Sequence, residues 1–334
     1  MIEVAPDRPA PESEPLNPAT RDTPNQRAWR RFKQNRLALA SLVFVAGLAL
    51  LVMAWPACLN LVARSSAAGA AWAQRFQPDR LSDAQFQKPN LAHWFGTDVH
   101  GRDLFARVLA GARVSLLVGL VGTGVSLVIG VLWGAVAGYA GGRTDSALMR
   151  IVDILYSLPS IIFVILLITT LENILKRSLA ALGVPSWAEN ARLLLLVVGL
   201  GAVSWLNMAR IVRGQVLSLR HRPFVEASRA LGAGPIRILA RHIIPHTLGN
   251  VIVYLTLTVP AIILYESFLS YLGLGIQPPM ASWGSLIAEG ADQINPIRIY
   301  WWLIVFPGAF LVWTLLALTF VGDGLRDAWD IRAD

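Results

Sequence analysis

Six stretches of the chain carry at most one acid or base each: Leu37–Ala57, Val114–Tyr139, Ile151–Leu171, Leu193–Ile211, Leu248–Leu272 and Ile299–Val321. Each is close to the roughly 20 residues that cross ~30 Å of hydrocarbon at 1.5 Å rise per residue. Lipid offers no partner for free N–H and C=O groups, so each stretch predicts a transmembrane α-helix. The fourth is the shortest, and its helix is expected to run on past Arg210. The predicted fold is an all-α integral membrane protein with six transmembrane helices.

Between the spans the pattern changes. Residues 1–28 hold Pro6, Pro9, Pro11, Pro15, Pro18 and Pro24 among mixed charges, which predicts a disordered tail. They lack the apolar core and cleavage site of a secretory signal, so the first helix is expected to serve as anchor and targeting signal together. Residues 29–110 then form an anchor helix and a long outer loop. Residues 111–334 form a core interrupted by an inner loop at 212–247.

Composition agrees. Of 334 residues, 55% are hydrophobic and only 15% charged, too little polar surface for a soluble enzyme or a disordered chain. The single cysteine, Cys58, excludes an intrachain disulfide. A net charge of +8 belongs here to topology rather than to nucleic-acid binding. With the N-terminus inside, inner segments hold Arg8 to Arg36, Arg143, Arg150, Arg210 to Arg241, Arg326 and Arg332, more positives than the outer segments. Both termini are therefore expected in the cytoplasm.

Small and polar residues inside the spans carry further expectations. Gly130, Gly134, Gly138 and Gly142 recur every four residues and predict one close-packing helix face, or alternatively a hinge. Trp55, Trp187, Trp283, Trp301 and Trp302 fall at span ends, where indoles favour the interface. Asp153 and Glu266 lie within spans, and an acid there costs about 2.5–3.5 kcal/mol at a helix centre unless a cavity or partner receives it. Asp153 sits one turn from Arg150, which predicts a structural pair, with a place on the translocation pathway as the alternative. Glu266 fits two readings, a water-filled pathway or a buried contact with a partner subunit.

Catalytic machinery is missing from the sequence. The lysines are Lys33, Lys88 and Lys176, and none follows a glycine, so no phosphate-cradling G-x-x-x-x-G-K-[ST] loop exists. There is no H-E-x-x-H and no G-x-S-x-G. His242 and His246 have helical spacing, but Pro245 intervenes and no third ligand is near, so no metal site is assigned. No catalytic residue is expected.

The inner loop from Arg220 to Pro245 is different in kind. Pro223 suits a helix start and Gly232 its end. Phe224, Ala227, Ser228 and Leu231 are expected to share one face. Pro235 restarts a helix on which Ile236, Leu239 and Ile243 share another. One reading is an amphipathic hairpin on anionic lipid; the other is a short rigid knob that enters a cleft on a soluble partner.

Glu226-Ala227-Ser228, three residues, Gly232 and then Ile243-Ile244-Pro245 resemble the signature loop of binding-protein-dependent ABC importer permeases, with serine for the second alanine and isoleucine for the usual leucine. Phe95 to Asp103 followed by Gly111-Ala-Arg113-Val-Ser-Leu resembles the segment before the second span of the oligopeptide/dipeptide permeases. The Trp29–Arg36, Gly273–Gly284 and Gly322–Asp327 stretches resemble the same subunit type, with its extra N-terminal span and long outer loop. Ile331 departs from the usual proline.

The resemblance implies an ABC importer type I permease fold in a bacterial plasma (inner) membrane. It implies a second permease subunit, two ATPase subunits using ATP and Mg2+, and an extracytoplasmic binding protein, with no cofactor on this chain. Glu226, Ala227, Ser228, Gly232 and Pro245 then couple to the ATPases, and di- or oligopeptides are the implied substrates. Nickel, glutathione or another small solute is the alternative within the family. An ion-driven secondary transporter and a membrane scaffold are the rivals outside it.

Overall fold

The computed structural model describes residues 24–184, 187–188 and 190–329. Much of the proposed tail, residues 1–23, lies outside them, as do Ile331 and the rest of 330–334. Residues 24–28 open a helix rather than continuing the tail, because α1 spans Pro24–Gln34. It buries Ala28 and Phe32 against the last helix. Among the described residues there is no strand beyond one isolated bridge between Thr97 and Asp103.

The remaining helices are α2 (Arg36–Ser65), α3 (Ala67–Arg75), α4 (Leu104–Ala140), α5 (Gly142–Tyr156), α6 (Ser160–Ala181), α7 (Ala191–Leu219), α8 (Pro223–Ala230), α9 (Pro235–Tyr271), α10 (Trp283–Ala291) and α11 (Trp302–Trp329). Five of these are long and apolar enough to cross a membrane: α2, α4, α7, α9 and α11. Asn35 caps α2 by accepting from the Ala38 N–H at 3.1 Å. Asp103 caps α4 through the Ala106 N–H at 2.9 Å.

The third predicted span differs. Ile151–Leu171 crosses a break at Ser157–Pro159, where α5 and α6 meet at 84°. Proline disfavours helical backbone at the residue before it, here Leu158, so the apolar run cannot continue straight. The glycine register also ends sooner than its spacing suggests. Gly141 (φ +65°) and Gly142 (φ +53°) turn the chain between α4 and α5, so Gly142 leaves the stripe.

Gly130, Gly134 and Gly138 line α4 where it meets α7. A Cβ at Gly130 would stand 2.5 Å from Met208 Cβ, and one at Gly138 would stand 2.8 Å from the Arg213 carbonyl. At Gly134 it would strike the Ala209 carbonyl. Absent side chains let the two backbones approach closely. These three glycines sit at the close approach of α4 to α7, the centre of the bundle.

Two tryptophans leave the predicted interfacial belt. Trp283 and Trp302 are buried in the core between α4, α10 and α11. Their indole N–H groups donate to Val108 O at 3.2 Å and Thr97 O at 3.3 Å. With that N–H satisfied, a large ring contributes its full apolar area to a core.

Candidate functional site

Two features beside α7 define the site: an exposed knob at its C-terminal end and a polar groove near its middle. In the knob, Pro223 opens α8 and Gly232 (φ +81°) closes it. Ala233 N–H donates to Ser228 O at 3.0 Å and Gly232 N–H to Arg229 O at 2.9 Å, the paired bonds of a Schellman stop. Ser228 Oγ donates to Phe224 O at 2.8 Å. The predicted glycine break therefore falls at Gly232.

The second half of the knob runs straight into a membrane helix. Residues 235–271 are continuous, with a π-helical turn at Leu239–Ile243 just before Pro245. Proline has no N–H to give its i−4 carbonyl, and a widened turn absorbs the mismatch. This turn shifts the helix phase, so the predicted Ile236, Leu239 and Ile243 face splits. Ile238 and Ile243 are buried, while Ile236 is 81% exposed. On α8 the buried anchor is Val225, and Leu231 is 88% exposed.

Val225, Ile238 and Ile243 pack into one cluster with Ala135 of α4, Val212 and Val216 of α7, and Val251 of α9. Arg220 donates to Gly138 O at 3.2 Å. Phe224 stacks on His246 with ring centres 4.9 Å apart, and the His246 ring bonds His242 O at 2.6 Å. The knob is thus rooted in three long helices, with Glu226, Ala227, Leu231 and Ile236 presented outward.

The groove, of ≈ 510 Å³, opens where α5 breaks from α6. Tyr156, Ser160, Asn207, Tyr254, Thr258 and Tyr265 supply most of its polar wall. Asp153 stands beside it. Its partner is Arg210 of α7 at 2.8 Å rather than Arg150, because the α5–α6 bend turns α5 across α7. Arg210 also stacks over Tyr156 at 4.2 Å. One turn on, Arg213 grips Asp145 at 2.5 and 2.7 Å. Sequence reading missed the groove residues, since scattered serines and tyrosines in apolar helices carry no spacing signal.

Glu266 does not line this groove. It is fully buried inside the subunit, where Ser115 Oγ donates to it at 2.9 Å and Ser270 Oγ at 2.7 Å. Ser115 Oγ also receives the Trp283 N–H at 3.4 Å. The carboxylate therefore ties α9 to α4 and to the start of α10. Ser267 and Ser270 of its own helix and Ser115 of α4 satisfy it within the chain.

A second buried polar cluster occupies the far end. Asp98 accepts from Arg102 Nε at 2.6 Å and from Arg107 at 2.9 Å. Arg107, 1% exposed, reaches Glu289 of α10 at 2.5 and 3.0 Å. The Phe95–Asp103 motif is thus a structural clasp holding the long loop to α4 and α10. Buried charges of this kind are tolerated because each has a bonded counter-charge.

Five helices long and apolar enough to cross a membrane mark a multi-pass membrane protein. Residues 130–333 match the family of binding-protein-dependent transport system inner membrane components, and the chain belongs to it. Residues 23–63 match the N-terminal transmembrane domain of oligopeptide transport permease C. Among its relatives is the oligopeptide transport system permease protein OppC of Haemophilus influenzae, 42% identical over 91% of this chain and 88% of that protein. OppC of Escherichia coli K12 is 44% identical over 91% and 90%. The dipeptide transport system permease protein DppC of Bacillus subtilis is 42% identical over 91% and 85%. A solved structure titled as an inward-facing conformation of the MetNI methionine ABC transporter aligns at 20% identity and TM-score 0.48, covering 65% of this chain and 94% of its own.

Proposed function

We propose that the chain is one of two different permease subunits in an ATP-driven importer of di- and oligopeptides. Two ATPase subunits dock on the Glu226–Pro245 knob and its equivalent, and an external binding protein delivers the peptide. The observation that carries this reading is the rooting of Val225, Ile238 and Ile243 in α4, α7 and α9. Force applied to the exposed Glu226, Ala227, Leu231 and Ile236 passes to three spanning helices at once. Closure of the ATPases then biases the permease between two states, which is the requirement for coupling.

Ser228 and Gly232 shape the knob, and Pro245 sets the π turn that joins it to α9. The groove beside Tyr156 serves as this subunit's half of the translocation path. Its hydroxyls and Asn207 can hydrogen-bond a peptide backbone without selecting side chains. The Asp153–Arg210 pair acts at its mouth. ATP and Mg2+ belong to the partner subunits, and this subunit carries no catalytic residue. Both termini and the knob face the cytoplasm of a bacterial plasma membrane.

The 42–44% identity to oligopeptide and dipeptide permeases over nine-tenths of the chain supports the peptide substrate. Deletion of the gene in a strain without a redundant importer tests it. A peptide-requiring auxotroph should stop growing on di- and tripeptides and recover with the gene restored. Unchanged growth, with loss of nickel or glutathione uptake instead, would reassign the substrate.

A further inference from the structure

The end of the bundle opposite the knob holds a larger, mainly apolar groove of ≈ 680 Å³ between α2, α3 and α4. Its body is built by Val52, Leu59, Ala73, Leu109, Leu117 and Met280. It shares no lining residue with the polar groove beside Tyr156. The transport reading therefore does not use it.

Several polar side chains on its wall lack partners among the described residues, the solvent-exposed Asn60, Gln74, Gln77 and Asp79 among them, and two further groups lie where the groove meets α4 and α2. Arg113 also lines the groove; it is exposed, and its guanidinium makes no ion pair or hydrogen bond within the chain. The neighbouring arginines Arg102 and Arg107 are both held by Asp98 and Glu289. The indole N–H of Trp55, another lining residue, is buried without an acceptor. Arg113 stands immediately before the uncharged stretch of α4 that begins at Val114, which places it at the hydrocarbon boundary. Leu117 lies one turn deeper.

We infer that this groove binds one glycerophospholipid, its phosphate on Arg113 and an acyl chain along Leu109, Leu117 and Met280. An unpaired arginine at the membrane boundary above an apolar trough matches a lipid phosphate above its tail in charge, depth and polarity. Guanidinium recognises phosphate with two parallel N–H bonds, so lysine is a poor substitute. The lipid fastens α3 to α4.

The test uses the transporter purified from its own membrane and exchanged into vesicles of phosphatidylglycerol and phosphatidylethanolamine. Native mass spectrometry should find one phospholipid retained per copy of this chain. Arg113→Gln should lower retention about tenfold, the scale of a lost charge-assisted bond pair. Ala110→Trp, which fills the trough, should also lower it. Equal retention in Arg113→Gln and the parent, or no retained lipid, would overturn the site. A photoreactive residue at position 117 separates the occupants: a lipid adduct supports the proposal, and a polypeptide adduct overturns it in favour of a second subunit's helix.

Discussion

Ser115 of α4 donates to the Glu266 carboxylate of α9 at 2.9 Å, inside the subunit and away from the polar groove. This one bond joins two spanning helices through a fully buried acid, to which Ser270 of the same α9 donates at 2.7 Å. Glu266→Leu leaves those serine hydroxyls without an acceptor, at a cost of about 1–3 kcal/mol. Glu266→Gln retains a carbonyl acceptor and shape, and its loss should be smaller. Thermal unfolding in detergent checks the order, parent above glutamine above leucine. Peptide preference should be unchanged in the glutamine variant.

Close packing of α4 on α7 gives a sharper contrast. At Gly130 a new Cβ meets Met208 at 2.5 Å, whereas at Gly124 it meets nothing within 4 Å. Gly130→Ala should lower stability by about 1–3 kcal/mol, the range for overpacking. Gly124→Ala should be neutral or stabilising by up to about 1 kcal/mol, from helix propensity alone. Parallel melting curves of the two variants decide it.

Gly232 ends α8 within the knob. Its φ of +81° suits glycine, and a Cβ there meets nothing within 4 Å, so the cost of substitution is conformational. Gly232→Val should remodel the end of α8, costing about 1–3 kcal/mol of local strain. Insertion and expression should stay normal, while ATP-driven uptake falls to background. Uptake measured alongside membrane-fraction blotting separates coupling from folding.

The proposed topology rests on the arginine distribution and on the docking role given to the knob. In a Cys58→Ser background, cysteine at Ser228 should resist an impermeant thiol reagent applied to intact cells, and cysteine at Ser82 should react. Reaction at position 228 from outside would invert the proposed orientation.

Much of this was legible in the sequence, for identifiable reasons. Spans followed from charge-free runs, and the knob's limits followed from Pro223 and Gly232, whose backbone preferences are local. The α5–α6 bend was missed because a continuous apolar run over Ile151–Leu171 concealed the effect of Pro159 on Leu158. Partners set by tertiary packing were also hidden. Asp153 turned to Arg210 of another helix, and Trp283 and Trp302 were drawn into the core by carbonyl acceptors distant in sequence. The groove beside Tyr156 exists only because four helices meet there.

The central claim is that this subunit transports peptide only when ATPases act on its knob. Proteoliposomes containing the four-subunit assembly, supplied with the binding protein and a radiolabelled tripeptide, test it most directly. Uptake should require ATP, should be indifferent to a proton or sodium gradient, and should vanish with Gly232→Val. Gradient-driven uptake by this chain without the ATPases would contradict the account.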